Sequence, residues 1–365
     1  MRAWRSALAP ALAALLASCG FTDRLNQPGL FIVITPADTA LQVGAQFRAW
    51  AFMVNDWGDV YRSGHIQFRA LDPAIDVTPT GLIVGRAVGR ARVVAERGPL
   101  ADTAWVSVVP QGTIAFGRDS AATVVVMNLD GSNYTEVVPT GGVQGGAPAW
   151  LPDGTGLIYQ RNTGGLYTAP FVAGGSGTLL NDFGRYPRVS SDGVWVYFWY
   201  ESNGGQVWRI RTDRSGLERL SALDQTAYLP DPSPDGATVL YAKQRFPADG
   251  ITDIWRRSST YAGELLLISN GVTARWSPQG DRIAFWRGDL SGNSGAIFLA
   301  NAAGGGLQQV SALGRVYQLQ TLDWSPDGQW LLARSAQSLD VIHVATGLTL
   351  PLVFAGATWG GAWRP

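Results

Sequence analysis

A short block of sequence recurs five times in the C-terminal two-thirds of the chain, and this repeat constrains the fold more than any other feature. Each copy has a strand-like stretch, a turn related to Ser-Pro-Asp-Gly, and a second stretch rich in β-branched and aromatic residues. The copies are Ala147–Tyr159, Tyr186–Phe198, Leu229–Tyr241, Thr273–Phe285 and Thr321–Leu332. Their turn glycines, at 154, 193, 236, 280 and 328, are separated by 39, 43, 44 and 48 residues. This spacing is close to the about 40–45 residues of a four-stranded propeller blade.

The turn residues predict how each block folds. Proline sets φ near about −65° inside the turn, and glycine supplies the positive φ that closes it. Each block is therefore predicted to be the innermost strand of a blade, a tight corner and the second strand. A third strand also recurs, at Val124–Gly131, Val207–Asp213 and Ala296–Asn301.

The blocks resemble the WD40-like repeat of TolB-type propellers, P-x-W-S-P-D-G-x-x-I-a-F. The resemblance covers residues 111–365 and implies a six-bladed β-propeller. Gly112–Phe116 is similar to the second strand of a blade, but no matching first strand stands before it. Gly360–Pro365 is similar to the first strand of a blade, but no matching second strand stands after it. Together they predict one blade that closes the ring with N- and C-terminal strands, which removes exposed sheet edges. We expect deletion of residues 359–365 to open the ring.

Residues 30–110 carry a different pattern, in which short alternating strands are separated by frequent turn signals. Four blocks follow the order found in group 2 bacterial immunoglobulin-like domains: Thr39–Gly44, Asp72–Gly85, Gly89–Ala95 and Ala104–Val109. The resemblance implies an immunoglobulin-like β-sandwich of about seven strands, in which Phe68 replaces the family's core tryptophan. The predicted fold class is all-β, a sandwich followed by a propeller.

The N-terminal residues have the features of a targeting segment rather than of a folded domain. Arg2 and Arg5 precede a small apolar run, Ala7–Ala17. As a helix this run is about 16 Å long, half of a hydrocarbon core of roughly 30 Å, so it is too short to be a permanent span. Residues 1–18 are therefore predicted to be a signal peptide, followed by a tether at 19–29.

The end of the apolar run, Leu16-Ala17-Ser18-Cys19, resembles the lipobox of bacterial lipoprotein signal peptides. The resemblance implies cleavage before Cys19, thioether lipidation of that residue and acylation of the new N-terminus. Gly20 stands where the inner-membrane retention signal has Asp, which favours the outer membrane, on its periplasmic or surface face. The alternative is an ordinary secretory signal with an incidental cysteine.

The composition excludes several classes of site. Lys+Arg and Asp+Glu are 28 each, so the chain has no basic excess with which to bind nucleic acid. Cys19 is the only cysteine, and His65 and His343 are the only histidines, so we expect no metal or cofactor site. The recurrent tryptophans of the blocks are predicted to pack between sheets rather than bind a ligand; they are Trp150, Trp276, Trp324 and Trp363.

One column of the repeat is charged. Arg188, Asp231, Arg275 and Asp323 stand immediately before the tryptophan position in four consecutive blades, so that the signs alternate. One interpretation is a ring of ion pairs between blades beside the central channel, where each partner offsets the desolvation of the other. The other is a binding site at the channel mouth, where arginine captures a carboxylate or a peptide end.

Catalysis has little support in the sequence. The stretch Gly174-Gly175-Ser176-Gly177 lacks the spacing of a nucleophile elbow. Some propeller lyases bind a metal through several histidines, but His65 and His343 cannot supply such a cluster. The leading hypothesis is a lipid-anchored envelope protein that binds a protein or glycan and is not an enzyme. The alternatives are a carbohydrate- or peptide-processing hydrolase or lyase at the channel mouth, and a structural spacer of a surface assembly.

Two loops between second and third strands are longer than their counterparts. They are Gln244–Ile251 and Arg287–Gly295, and they leave adjacent predicted blades on the same rim. Functional loops cluster on one rim of a repeat scaffold. If the propeller has a partner surface, we therefore expect it on this rim.

Overall fold

The computed structural model describes residues 29–61, 65–118, 123–138, 148–161, 164–201, 204–222, 226–245, 251–260, 263–288, 295–312, 317–335, 338–352 and 358–365. The predicted signal peptide, Cys19 and the tether before Gly29 lie outside the described residues, as do the tips of the two long loops. The regular elements in the described residues are all strands, which confirms the all-β prediction. None of these residues forms a helix with the length and apolar character needed to cross a membrane.

The chain divides into two compact units, Met1–Gln111 and Gly112–Pro365. The described part of the first unit contains ten strands: β1 (Phe31–Thr35), β2 (Asp38–Gln42), β3 (Gln46–Arg48), β4 (Trp50–Val54), β5 (Val60–Tyr61), β6 (Gln67–Ala70), β7 (Ile75–Val77), β8 (Leu82–Gly85), β9 (Gly89–Arg97) and β10 (Leu100–Val109). They form three sheets, in the orders β1-β4-β5, β2-β10-β9-β6 and β3-β8-β7.

The first unit has more strands than the seven predicted, because the stretch 38–54 contributes to three sheets. β2 pairs in parallel with β10, β3 pairs with β8, and β4 pairs with β1. The first strand alternates as predicted for residues 30–110, since Ile32 and Ile34 are buried while Phe31 is exposed. Phe68 is also buried in this core.

The second unit contains 24 strands in its described residues. They are β11 (Thr113–Arg118), β12 (Thr123–Asn128), β13 (Thr135–Val138), β14 (Ala149–Trp150), β15 (Gly156–Gln160), β16 (Leu166–Pro170), β17 (Thr178–Asn181), β18 (Arg185–Val189), β19 (Trp195–Tyr200), β20 (Gln206–Arg211), β21 (Glu218–Arg219), β22 (Ala227–Pro232), β23 (Thr238–Gln244), β24 (Thr252–Ser258), β25 (Glu264–Ile268), β26 (Val272–Trp276), β27 (Arg282–Gly288), β28 (Gly295–Asn301), β29 (Gln308–Gln309), β30 (Tyr317–Trp324), β31 (Trp330–Ser335), β32 (Leu339–His343), β33 (Thr349–Leu352) and β34 (Thr358–Trp363).

These strands form six four-stranded antiparallel sheets, as in a β-propeller. Sheet I has the order β13-β12-β11-β34, and sheets II to VI are β14–β17, β18–β21, β22–β25, β26–β29 and β30–β33. We call β34, β14, β18, β22, β26 and β30 the inner strands, because each contacts the inner strand of the next sheet. The C-terminal strand β34 contacts both β30 and β14.

The corners after the inner strands have the predicted geometry. Glycines 154, 193, 236, 280 and 328 all have φ between +66° and +72°. At one corner, Oδ1 of Asp235 accepts hydrogen bonds from the Ser233 hydroxyl (2.5 Å) and the Ala237 N–H (3.0 Å). The repeated sequence Ser-Pro-Asp-Gly is therefore explained locally, by a hydrogen-bonded turn that only a left-handed fourth residue can close.

Sheet I joins the two ends of the second unit. Ile114 lies opposite Trp363, and Ala115 lies opposite Ala362. The register then shifts between Ala115 and Gly117, so Phe116 lies at an irregularity rather than in a regular pair. The N–H of Arg364 extends this pairing by donating to the carbonyl of Thr113 at 2.9 Å.

Candidate functional site

The inner strands bring the four charged residues of the repeated column together. Arg188 lies on β18, Asp231 on β22, Arg275 on β26 and Asp323 on β30. Nε of Arg188 donates to Oδ1 of Asp231 at 3.1 Å, and Nη2 of Arg188 donates to Oδ1 of Asp323 at 2.6 Å. All four side chains are at least 85% buried. We call these four residues the channel network.

Each aspartate of the channel network also binds the backbone of the following sheet. Oδ2 of Asp231 accepts the N–H of Trp276 at 2.8 Å, and Oδ2 of Asp323 accepts the N–H of Trp363 at 2.7 Å. Asp231 thus connects sheet IV to sheet V, and Asp323 connects sheet VI to the C-terminal strand of sheet I. Both oxygens of each carboxylate are used, as a buried charge requires.

Arg275 is held mainly by carbonyl oxygens. Its Nε donates to Leu322 at 3.0 Å, and its Nη1 donates to Ala274 at 3.1 Å and to Pro230 at 3.5 Å. The nearest carboxylate oxygen is Oδ1 of Asp231, 3.8 Å from Nη1. The three carbonyls belong to three consecutive sheets, so this guanidinium also connects neighbouring sheets.

A bulge recurs in four inner strands, two residues before the position that carries the charged column in β18, β22 and β26. Tyr186, Leu229, Thr273 and Gly360 have φ of 53°, 56°, 55° and 63°, and the pairing register shifts beside each of them. The left-handed conformation costs a non-glycine residue about 1–2 kcal/mol. The sequence analysis did not identify this bulge. A partial signal was present, however, because prolines follow Tyr186 and Leu229, and proline within a sheet is confined to edge strands, first residues and bulges.

Burial and the neighbouring charges act on the network in opposite directions. Burial raises the pKa of Asp231 against the opposing effect of Arg188 and Arg275. Burial and the nearby Arg188 lower the pKa of Arg275 to about 10, so it is still protonated at neutral pH. Burial alone would lower the pKa of Arg188, but the carboxylates of Asp323 and Asp231 outweigh it and raise that pKa.

The ion-pair interpretation of the charged column requires buried charges of opposite sign in contact between sheets, and the channel network has such contacts. A ligand carboxylate that took the Nε or Nη2 bond of Arg188 would displace Asp231 or Asp323 and leave a buried charge without its partner. The network can therefore fix the positions of the inner strands. We treat capture of a ligand by these arginines as a separate hypothesis.

Aromatic side chains lie at the end of the ring where the inner strands begin, which we call the entry mouth. Tyr186 and Tyr228 are the second residues of β18 and β22, and both are half-buried against the same apolar cluster. Tyr186 stacks on Trp199 with ring centroids 6.0 Å apart, and the exposed Arg185 lies 5.9 Å from the Trp199 ring. Burial raises the pKa of both tyrosine hydroxyls, so they stay neutral. The sequence analysis did not single out these residues.

The remaining candidates have structural roles. The four repeated tryptophans are buried, which confirms the packing prediction. The indole N–H of Trp150 donates to the carbonyl of Ala362, and that of Trp324 to the carbonyl of Arg275. His343 contacts the Thr346 hydroxyl and the Trp330 ring. Among the residues that the structure describes, no group of three or more His, Cys, Asp or Glu side chains could hold a metal ion.

Comparisons with solved structures agree with this architecture. TolB from Acinetobacter baumannii aligns with a TM-score of 0.57 at 18% identity, covering 80% of this chain and 81% of that one. A TolB candidate from Agrobacterium tumefaciens aligns with a TM-score of 0.54 at 17% identity, covering 68% and 91%. The fold is TolB-like. This confirms the propeller resemblance of the repeated blocks, and at such identities the likeness concerns the fold alone.

Sequence comparison adds less. No protein-family model matches the chain. The uncharacterised protein Atu1656 of Agrobacterium fabrum is 28% identical over 38% of this chain and 53% of its own length. The chain thus spans about half the length of the curated relative it matches.

Proposed function

We propose that the chain is a lipid-anchored cell-envelope protein whose TolB-like propeller binds a protein or glycan ligand at the entry mouth, without catalysis. The proposal depends on the difference between the charged residues of the channel network and the aromatic residues of the entry mouth. The charged side chains of the network are bound to one another and to the backbone, while Tyr186, Tyr228 and Trp199 form a neutral aromatic surface at the mouth. Half-buried aromatic side chains with a polar end are favoured in recognition surfaces.

The proposal includes a finer description of the fold. The second unit is a six-bladed propeller closed by both of its ends, and the first is an immunoglobulin-like sandwich. The pairing of β11 with β34 and the circular contacts of the inner strands support the first statement. The shared core of the three N-terminal sheets and the buried Phe68 support the second.

The envelope location depends on Cys19 and on the TolB-like fold. We propose that Cys19 carries a lipid anchor and that the anchored protein resides in the outer membrane. One acyl chain gives only marginal membrane binding, whereas several chains hold a protein firmly. Incorporation of radiolabelled palmitate into the wild type, and none into Cys19→Ala, is the expected result. Equal labelling of the two proteins would contradict the anchor.

A retention experiment tests the ligand. Immobilised wild-type protein is incubated with envelope extract, beside Tyr186→Ala, Tyr228→Ala and the control Tyr134→Ala, which changes an exposed tyrosine immediately before β13. We expect a saturable protein or glycan partner that both mouth variants lose and the control retains. Loss in the control alone would contradict a site at the mouth, and turnover of polysaccharide or peptide pools would favour the enzyme hypothesis.

A further inference from the structure

Trp57 is the most exposed large apolar side chain among the described residues, with 85% of its surface accessible. It lies in the loop 55–59, which joins β4 to β5 in the first unit. Exposing one indole at the tip of a loop loses the favourable transfer of its apolar surface from water. An exposed tryptophan at such a position therefore points to a surface that covers it.

The loop is rigid, because Asn55 organises it from within. The Asn55 side chain is buried, and its Oδ1 accepts the N–H groups of Trp57 (3.1 Å) and Asp59 (2.9 Å). Its Nδ2 donates to Oδ2 of Asp59 at 2.9 Å and to the hydroxyl of Tyr61 at 3.0 Å. Gly58, at φ +87°, closes the turn by donating its N–H to the Asn55 carbonyl. The indole is thus held outward by a pre-organised turn rather than by a mobile tip.

The loop lies where the N-terminal segment reaches the folded unit. The carboxylate of Asp56 packs on Gly29, where an added Cβ would lie 1.8 Å from Oδ2. Phe31, also exposed, pairs with Val54, the last residue before the loop. Cys19 is ten residues before Gly29, and ten extended residues reach at most about 35 Å. A lipid on Cys19 would therefore keep Trp57 close to the bilayer surface.

We propose that Trp57 inserts into the interfacial layer of the bilayer to which Cys19 is attached, and so fixes the orientation of the first unit. Tryptophan prefers this layer because its ring is apolar and its N–H is polar. The neighbouring carboxylates of Asp56 and Asp59 favour a largely zwitterionic lipid surface over an anionic one. This inference rests on the proposed lipid anchor.

The test couples the protein to vesicles chemically, so that it does not depend on lipidation in the cell. The chain from Cys19 onward keeps every described residue, and its single thiol is attached to a maleimide lipid in phosphatidylcholine vesicles. Brominated and unbrominated acyl chains are compared, because bromine quenches indoles that enter the bilayer. The variants are Trp57→Ala and the control Trp50→Ala, which removes an exposed tryptophan from the opposite end of β4.

We expect bromine-dependent quenching in the wild type, its loss in Trp57→Ala and its retention in Trp50→Ala. Equal quenching of the wild type and Trp57→Ala would overturn the proposal. It would also be overturned if Trp57 were already shielded from a water-soluble quencher without lipid, since another part of the chain would then cover it. The lipid anchor is tested separately, because a protein that is not lipidated in the cell incorporates no palmitate at Cys19. The chemically coupled protein still tests the insertion of Trp57 in that case.

Discussion

Nη2 of Arg188 lies 2.6 Å from Oδ1 of Asp323, although their inner strands belong to sheets III and VI, which are separated in the chain by two further sheets. The same guanidinium binds Asp231 of sheet IV through Nε. One buried side chain thus connects three of the six sheets. This connection predicts that the channel network stabilises the arrangement of the sheets in the second unit.

Arg188→Met should strongly destabilise the protein. The substitution leaves the carboxylates of Asp231 and Asp323 buried without their shared cation, and breaking such a pair costs about 3–5 kcal/mol. Urea denaturation at neutral pH measures the loss in the free energy of unfolding. The control is Arg69→Met, because Arg69 and Glu96 form an exposed ion pair that contributes less than about 1 kcal/mol.

The same variant separates the two interpretations of the charged column. If the network only holds sheets, Arg188→Met lowers stability while the folded fraction retains the envelope ligand as well as the wild type does. Loss of ligand retention at unchanged stability would show instead that Arg188 is a binding residue. Equal losses of stability in Arg188→Met and Arg69→Met would contradict the structural role.

Deletion of residues 359–365 should open the second unit. The deletion removes the partner of β11 and the Trp363 N–H that binds Asp323, together with the hydrogen bond from Arg364 to the Gly154 carbonyl. An unpaired strand edge recruits other strands, so we expect self-association on size-exclusion chromatography with light scattering. Removal of the exposed Pro365 alone is the control and should leave a monodisperse protein. A well-behaved truncated protein would contradict the role of β34.

The repeat made the second unit predictable from sequence. Its turn residues specify local conformation, and their spacing specifies the number of strands between corners. The charged column was visible for the same reason, since each member occupies the same position relative to a corner. Its pairing was not visible, because a contact between Arg188 and Asp323 depends on how the inner strands converge and not on any local pattern.

The entry mouth and the Trp57 loop were not predicted, and the reason is physical. The prolines near Tyr186 and Tyr228 indicate an irregular strand but not a binding surface, and the position of both tyrosines depends on a left-handed bulge that tertiary packing stabilises against local preference. Trp57 resembles any aromatic residue between two strands. Its exposure becomes apparent only when Asn55 is seen to occupy the inside of the turn.

Gly236→Ala should measure the conformational cost of a corner without a steric contribution. Gly236 has φ +69°, and a Cβ added there would have no neighbour within 4 Å. We expect a loss of about 1–2 kcal/mol in the free energy of unfolding, the cost of a left-handed residue. Gly236→Asn should lose distinctly less, because asparagine tolerates this conformation. Equal losses for the two substitutions in urea denaturation would show that backbone conformation is not what selects glycine.

The corner aspartates should make stability depend on acid. Hydrogen bonds from the Ser233 hydroxyl and the Ala237 N–H lower the pKa of Asp235 below its usual 3.8, and Ser190 and Val194 do the same for Asp192. Since the folded pKa is the lower one, this stabilisation is complete above the unfolded value and is lost as pH falls through the folded value. Urea denaturation at a series of pH values from 7 to 2 measures the free energy of unfolding. As the pH falls, this free energy should decrease less in the Asp192→Asn, Asp235→Asn double variant than in the wild type. The same decrease in the double variant and the wild type would contradict these pKa shifts.

Lys243 should resist amine-reactive reagents until the second unit unfolds. It is the only lysine of the chain, and its side chain is 4% exposed. Its Nζ lies 2.7 Å from Oε1 of Glu264 and 4.9 Å from the centre of the Trp255 ring. Modification then requires opening of the sheet, so we expect the folded protein to react at least about tenfold more slowly at this position than the unfolded chain.

Peptide mass mapping after brief exposure to an N-hydroxysuccinimide ester reads out this reaction site by site. The control is Arg86→Lys, which places an amine at a position whose side chain is 59% exposed in the first unit. That amine should be modified at once in the folded protein, while Lys243 stays unmodified until urea is added. Modification of both positions at the same rate in the folded protein would show that Lys243 is accessible and that its pairing with Glu264 does not protect it.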